Sequence, residues 1–352
     1  MKKEHILVIR FSAMGDVAMT VPIVYSLAKQ YPDVRITMLS QKFARPFFEH
    51  MPHNVGFMEA DIKNEYHGVK GLNALYRRLM AKNFTAIADL HSVLRSQYLR
   101  MRFNFDRYEV AHIDKHRSER HQITSADHKA LRQLPTSFQN YADVFERLGY
   151  PVDITFKSIF QDGGGELSSL PEAFRHKSEG ETWIGVAPFA AHKGKIYPEE
   201  QMEKTISILS EKHPDARFFL FGGGESETVV MNKWHAANPR VVNASADLAG
   251  ISEELVLMNN LDVMISMDSS NMHMASLVNT PVVSIWGATH PYAGFMGWNQ
   301  DPDNAVMIDM PCRPCSIYGN KPCARGNYPC LAGISPEMIV DRVELQLLKN
   351  RK

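Results

Sequence analysis

Long hydrophobic runs are missing from this 352-residue chain. No apolar stretch approaches the roughly 18–20 residues that a membrane-spanning helix needs. Cysteine is scarce, at four residues, too few and too clustered for the disulfide frame of a secreted domain. Charge of one sign is absent as well: 39 basic side chains face 39 acidic ones. Neither half has a basic stripe interleaved with aromatics, so no nucleic-acid partner is expected. Three motifs are also lacking. There is no Gly-x-Gly-x-x-Gly for a dinucleotide, no Gly-Lys-Ser/Thr of a Walker loop and no Gly-x-Ser-x-Gly elbow. Those absences argue against a Rossmann oxidoreductase, a P-loop nucleotidase and a serine hydrolase. The start, Met-Lys-Lys-Glu-His, opens on charge rather than on the apolar core of a signal peptide, so the cytoplasm is the expected compartment.

What is present is a globular composition, 44% hydrophobic and 22% charged, at a length suited to two domains. The zero net charge hides an asymmetry. Residues 1–160 hold 23 Lys and Arg against 16 Asp and Glu, so the first half attracts an acidic partner such as phosphate or an anionic membrane surface. Ile6–Ile9 is a continuous apolar run, as in a buried parallel strand. Val17–Gln30 has helical spacing with Pro22 in its first turn, and Arg35–Leu39 is the next strand. The same alternation returns later. Strands are predicted at Trp183–Ala187, Arg217–Phe221, Val263–Met267 and Pro281–Gly287, and helices at Glu199–Lys212, Glu225–Ala237 and Ser270–Leu277. This pattern predicts an α/β chain of two doubly wound, Rossmann-like domains facing across a cleft. The turn-rich Gln161–Gly165 marks the boundary. The expected division is 1–162, 163–335, and a C-terminal helix from 336 to 352 that returns to the first domain.

The candidate chemistry lies where strands end. Asp16 follows the first strand; it is either an ordinary helix cap or a carboxylate at the sheet edge, where a general base belongs. Lys193 and Lys195 follow the first strand of the second half, where two ammonium groups suit a diphosphate, although lysines in loops are commonly just solvated. Gly222-Gly223-Gly224-Glu225 admits close backbone approach, with Glu225 placed for a sugar or ribose hydroxyl, or is simply a permissive turn. Asp268, Ser269, Ser270 and Asn271, followed by His273, open a helix whose free N–H groups suit an anion; a capping cluster is the plainer alternative. Arg117 and Arg120 lie among His112, His116, His121 and His128, a set that fits an acidic acceptor or a wet surface. Cys312, Cys315, Cys323 and Cys330 are spaced C-x2-C-x7-C-x6-C. They are candidates for a structural zinc site or for reduced thiols in a loop.

Taken together, these residues resemble a known family across most of the chain. Ile6-Leu7-Val8-Ile9-Arg10-Phe11-Ser12-Ala13-Met14-Gly15-Asp16-Val17, Asp89-Leu90-His91 with Arg95-Ser96, Lys195-Ile196-Tyr197-Pro198, Gly222–Glu225 and Asp268-Ser269-Ser270-Asn271-Met272-His273 are similar to segments of the ADP-heptose:lipopolysaccharide heptosyltransferases, glycosyltransferase family 9. The Cys-Arg-Pro-Cys stretch is similar to a segment of some members. Ser270 stands where the family usually has glycine. The resemblance implies the two-domain GT-B fold and metal-independent, inverting sugar transfer. It implies Asp16 as base, and Lys195, Glu225, Asp268, Ser269 and His273 at the donor. Ser12, Met14, Gly15, His91 and Arg95 would then line the acceptor side. The implied partners are a nucleotide sugar such as ADP-heptose and a lipid A–core acceptor, met peripherally at the cytoplasmic face of the inner membrane. Two alternatives remain at this level: a GT-B transferase for another nucleotide sugar, and a non-catalytic sugar- or nucleotide-binding module.

Overall fold

The computed structural model describes residues 4–350. It divides into two units, each built on its own parallel sheet. Unit 1 runs to Lys115 and resumes over Pro135–Asp162. Its strands are β1 (His5–Ile9), β2 (Arg35–Ser40), β3 (Val55–Glu59), β4 (Ala86–Asp89) and β5 (Glu109–His112), in the order β3-β2-β1-β4-β5. Every residue of β1 is buried. A central parallel strand is covered on both faces, which is why its sequence is apolar without alternation. Val8 pairs with Met38 on one side and Ala88 on the other.

Two helices stand where the sequence predicts one, α1 (Met14–Ala18) and α2 (Val21–Gln30). Pro22 lies in the first turn of α2. It has no N–H to donate backward, so α1 ends before it and α2 starts afresh. α3 (Gly68–Met80) and α4 (Leu94–Phe105) follow. Leu75, Leu79, Leu99 and Phe103 from these two helices join Leu7, Ile9 and Ile87 in one core. α5 (Arg117–Thr124) lies in the segment 116–134, which belongs to unit 2. α6 (Ser137–Glu146) brings the chain back to unit 1. It is capped reciprocally by Thr136 and Gln139.

Unit 2 takes in residues 116–134 and everything from Gly163 onward. Its strands are β6 (Trp183–Ala187), β7 (Arg217–Leu220), β8 (Val241–Asn243), β9 (Val263–Met267), β10 (Val282–Ile285) and β11 (Ala305–Val306), ordered β11-β10-β9-β6-β7-β8. Its further helices are α7 (Glu199–Lys212), α8 (Glu225–Ala237), α9 (Ala244–Asp247), α10 (Ile251–Asn259), α11 (Ser270–Leu277), α12 (Pro329–Ala332) and α13 (Pro336–Asn350).

Two expectations about organisation are corrected here. The first half is not one continuous domain, because 116–134 packs with unit 2: Leu134 N–H donates to the Tyr292 carbonyl, and Lys129 Nζ to that of Pro314. The C-terminal helix packs within unit 2, where Ile339, Val340, Val343 and Leu347 share a core with Ile206 and Leu209 of α7. Its apolar face finds the nearest unfilled stripe, and that stripe is on α7.

In both sheets the strand order reverses once, between β1 and β4 in unit 1 and between β6 and β9 in unit 2. The connections leave in opposite directions at such a point, and a crevice opens beyond the carboxyl ends of the two strands. Asp16 and His91 follow β1 and β4; Lys195 and Asp268 follow β6 and β9.

Candidate functional site

At the reversal point of unit 1, Asp16 occupies the first turn of α1. One oxygen, Oδ2, accepts from the Ala13 backbone N–H at 3.2 Å and pairs with Arg10 Nη2 at 2.7 Å. The cap expected of an acid at a helix start is therefore present, and the carboxylate also has a fixed cationic partner. Its side chain is 28% exposed. Arg10 is buried. Its Nη1 donates to the Leu90 carbonyl at 2.6 Å, and its guanidinium lies 5.9 Å from the centre of the Tyr141 ring. Tyr141 in turn donates its hydroxyl to the Asp16 carbonyl at 3.3 Å.

His91 is buried beside this group. The Phe11 N–H donates to its Nδ1 at 3.4 Å, so the ring is neutral with Nδ1 unprotonated. Burial first, and then the charges of Arg10 and Lys115, pull its pKa down to about 3. Asp89 closes the turn after β4. It accepts from the N–H groups of His91 and Ser92 at 2.9 and 2.8 Å and from Arg100 at 3.4 Å. Ser12, on the loop before α1, and Met14 and Gly15, in its first turn, are partly exposed, and Arg95 is exposed on α4. Arg117 and Arg120, expected in the same acceptor set, belong to unit 2. Arg120 stacks 4.9 Å from the centre of Phe295 and donates to the Tyr318 hydroxyl at 3.1 Å.

At the reversal point of unit 2, Lys195 Nζ and Asp268 Oδ2 form an ion pair at 2.8 Å. Asp268 is buried and also accepts from Thr289 Oγ1 at 2.8 Å. Lys195 is held from behind. Gly194 is so close to Gly319 that an added Cβ would lie 2.7 Å from the Gly319 carbonyl, and one on Gly319 would strike the Lys195 side chain at 2.6 Å. The loop after β10 is secured by a buried Arg313, which donates to the carbonyls of Trp286, Gly287, Thr289 and Ile308. α11 opens beside Asp268, with Ser269 at its cap and Ser270 and Asn271 half-buried; His273 is buried one turn in. Lys193 is exposed on the same turn as Lys195.

After β7, the Gly222 N–H donates to Ser245 Oγ at 3.1 Å, and Ser245 donates to Glu254 at 2.7 Å. The Gly223 N–H donates to Glu227 at 2.8 Å. Glu225 is exposed at the start of α8. Burial raises the Glu254 carboxyl above its usual range.

The unit 2 edge thus presents an ammonium held against a carboxylate, a helix start and a tethered glycine turn, which is equipment for a phosphorylated ligand. The unit 1 edge presents an oriented carboxylate. A sequence model of glycosyltransferase family 9 (heptosyltransferase) matches residues 72–323. The chain belongs to glycosyltransferase family 9.

Among relatives of this family, the chain is 23% identical over 302 residues to lipopolysaccharide heptosyltransferase 1 of Campylobacter coli, spanning 82% of this chain and 85% of that protein. The solved E. coli ADP-heptose lps heptosyltransferase II is 17% identical with a TM-score of 0.70, covering 99% of this chain and 100% of the other. E. coli heptosyltransferase WaaC with ADP is 17% identical with a TM-score of 0.62, covering 85% and 94%. The likeness extends to both units, and the GT-B fold expected from the sequence is the one found.

Cys312, Cys315, Cys323 and Cys330 lie near enough for their thiols to act on one another electrostatically; among the described residues no group of three His, Cys, Asp or Glu side chains is arranged to hold a metal ion. Cys315 Sγ points at the Ala288 carbonyl at 3.9 Å, while Cys330 is buried in the core of α12, where burial pushes its thiol up to about 11. Arg10, Tyr141, Thr289, Ser245, Glu254 and Arg313 are the site residues that sequence reasoning missed. Arg10 was within reach, as the last residue of a quoted strand motif. Tyr141, Thr289 and Ser245 lie 20 or more residues along the chain from the groups they hold, Arg313 spans 24 to 27 residues to three of its four carbonyls, and Glu254 acts through Ser245; nothing local marks them.

Proposed function

We propose that this glycosyltransferase moves a heptose from ADP-heptose onto an inner-core hydroxyl of a lipopolysaccharide acceptor, with inversion at the anomeric carbon. The names of its relatives and the ADP complex of a neighbour support the donor and acceptor classes. The observation that carries the reaction type is Asp16, whose Oδ2 is tied to Arg10 and to the Ala13 N–H at the carboxyl edge of the first sheet. A carboxylate oriented in this way accepts the proton of the attacking hydroxyl as the new glycosidic bond forms. The bond from the anomeric carbon to the diphosphate breaks on the opposite face, and the electron pair leaves with ADP.

In this reading unit 2 holds the donor. Lys195, positioned by Asp268, neutralises charge on the departing diphosphate, assisted by Lys193 and by the N–H groups at the start of α11. Glu225 takes a ribose or sugar hydroxyl. Ser12, Met14, Gly15, His91 and Arg95 address the acceptor, whose phosphates and acidic sugars suit the basic character of the first 160 residues. The reading assigns each of these tasks to protein groups and calls for no metal.

The test is ADP release from ADP-heptose in the presence of a lipid A–core acceptor. Release should depend on acceptor and fall roughly 10²–10⁴-fold in Asp16→Ala. Near-normal turnover in that variant removes Asp16 from the mechanism. Acceptor-dependent release only from a different nucleotide sugar replaces the proposed donor.

A further inference from the structure

Helix α4 buries one face and leaves an apolar one in water. Ser96, Leu99 and Phe103 point into the unit 1 core. Leu94, Met101 and Phe105 are 85%, 57% and 84% exposed. These three are spaced by seven and four residues, so at 3.6 residues per turn they fall on a single line along the helix. Isolated exposed apolar side chains are ordinary, but an ordered stripe of them marks a surface that meets something apolar.

The charge around the stripe says what that is. α4 contributes Arg95, Arg100 and Arg102, and α3 beside it contributes Lys70, Arg77 and Arg78; neither helix contains an acidic residue. The two helices are joined through Asn73, which accepts from Tyr98 at 2.8 Å and from Arg102 at 2.6 Å. Val69, one turn before Asn73, is 63% exposed. Arg100 pairs with Asp89, and Asp106, just past the end of α4, accepts from Tyr76. An apolar line bordered by arginine and lysine is the pattern of a helix lying in a lipid headgroup layer, with side chains in the acyl boundary and cations at the phosphates.

We propose that α4 docks this chain on the anionic phospholipid surface of a bilayer, with Leu94, Met101 and Phe105 inserted and the exposed Lys70, Arg77 and Arg95 on the headgroups. The placement fits the reading given above, on which this inference rests for its purpose. α4 begins three residues after His91, at the same sheet edge as Asp16. An acceptor anchored by acyl chains keeps them in the bilayer while its sugars reach Asp16, so the surface next to that edge is the one that must meet lipid.

The experiment is flotation of the full chain with vesicles of phosphatidylglycerol and phosphatidylethanolamine, and with vesicles of phosphatidylcholine alone. Binding to the anionic vesicles, at least tenfold weaker on phosphatidylcholine and weakened by 0.5 M salt, is expected. The combined variant Leu94→Ser, Met101→Ser, Phe105→Ser should bind anionic vesicles at least tenfold more weakly while keeping its melting temperature, since these side chains are exposed. It should also keep wild-type turnover on a soluble, deacylated acceptor and lose it on acceptor embedded in vesicles. Vesicle binding unchanged in the variant overturns the proposal. So does a wild-type chain that ignores vesicles but forms a dimer which the variant abolishes, because the stripe would then be a protein interface. Vesicle binding needs no turnover. A chain that docks but transfers no heptose therefore refutes the proposed reaction and leaves the docking face standing.

Discussion

Asp16 is bound to Arg10 through one oxygen, and that single contact sets two properties at once. It fixes the direction of the carboxylate, and it favours the ionised form, because an opposite charge within about 4–6 Å stabilises the charged state of an acid. The groups around Asp16 are Arg10 from the end of β1, His91 from the end of β4 and Tyr141 from α6, with Arg95 and Lys115 acting on His91. His91 stays neutral far below neutrality, so Arg10, not His91, is the cation the carboxylate meets in this pair. Arg10→Gln should therefore move the acid limb of the pH–rate profile to higher pH, and Arg10→Lys should restore part of the shift. A variant that lost rate equally at every pH would show Arg10 to be structural only.

At the scale of elements, the turn that carries Lys195 is tightly constrained. Gly194 lies between two lysines, and its carbonyl accepts from the Ala288 N–H at 2.8 Å. A methyl group there would meet the Gly319 carbonyl at 2.7 Å and Ala288 Cβ at 3.0 Å. Backbone cannot rotate out of the way as a side chain can. The whole turn would shift, taking Lys195 away from Asp268. Overpacking of this kind costs about 1–3 kcal/mol. Gly194→Ala should thus weaken ADP binding on the order of tenfold by calorimetry, with the melting temperature lowered by a few degrees at most. Affinity equal to wild type would mean that Lys195 does not depend on this turn.

At the scale of the whole molecule, buried histidines link stability to acidity, His91 and His290 foremost. His91 in unit 1 is held at about 3, and His290 in unit 2 at about 4, in both cases first by burial; the next cause for His290 is the charge of Arg313. An unfolded histidine titrates near 6.5. Between 6.5 and these folded values the unfolded chain binds protons that the native one refuses, so stability falls as pH drops below about 6.5. The slope approaches about 1.4 kcal/mol per pH unit for each histidine. Urea midpoints measured at pH 7.5 and pH 5 should show this loss, and His91→Gln should flatten it by one histidine's share. Parallel curves for wild type and variant would mean that His91 takes up a proton in the fold.

How much of this was legible follows from the range of each signal. Buried parallel strands need unbroken apolar runs and amphipathic helices need their period, so β1, β6, β9, α7, α8 and α11 could be placed from local pattern. Asp16, Lys195 and Asp268 could be picked out because they follow such strands directly. Short edge strands such as β8 and β11 carry too few residues to show a pattern, and Pro22 inside a helical period concealed the break between α1 and α2. By itself, the sequence determined the alternating α/β order, the boundary near Gly163 and the acids and lysines at the strand ends, all from interactions within a few residues. Only the tertiary structure decided the remainder. It sent 116–134 to unit 2, laid α13 on α7, and brought Arg10 to Asp16 and Lys195 to Asp268. Those outcomes depend on which surfaces bury one another and which charges then share a buried site, and such partners can be far apart along the chain.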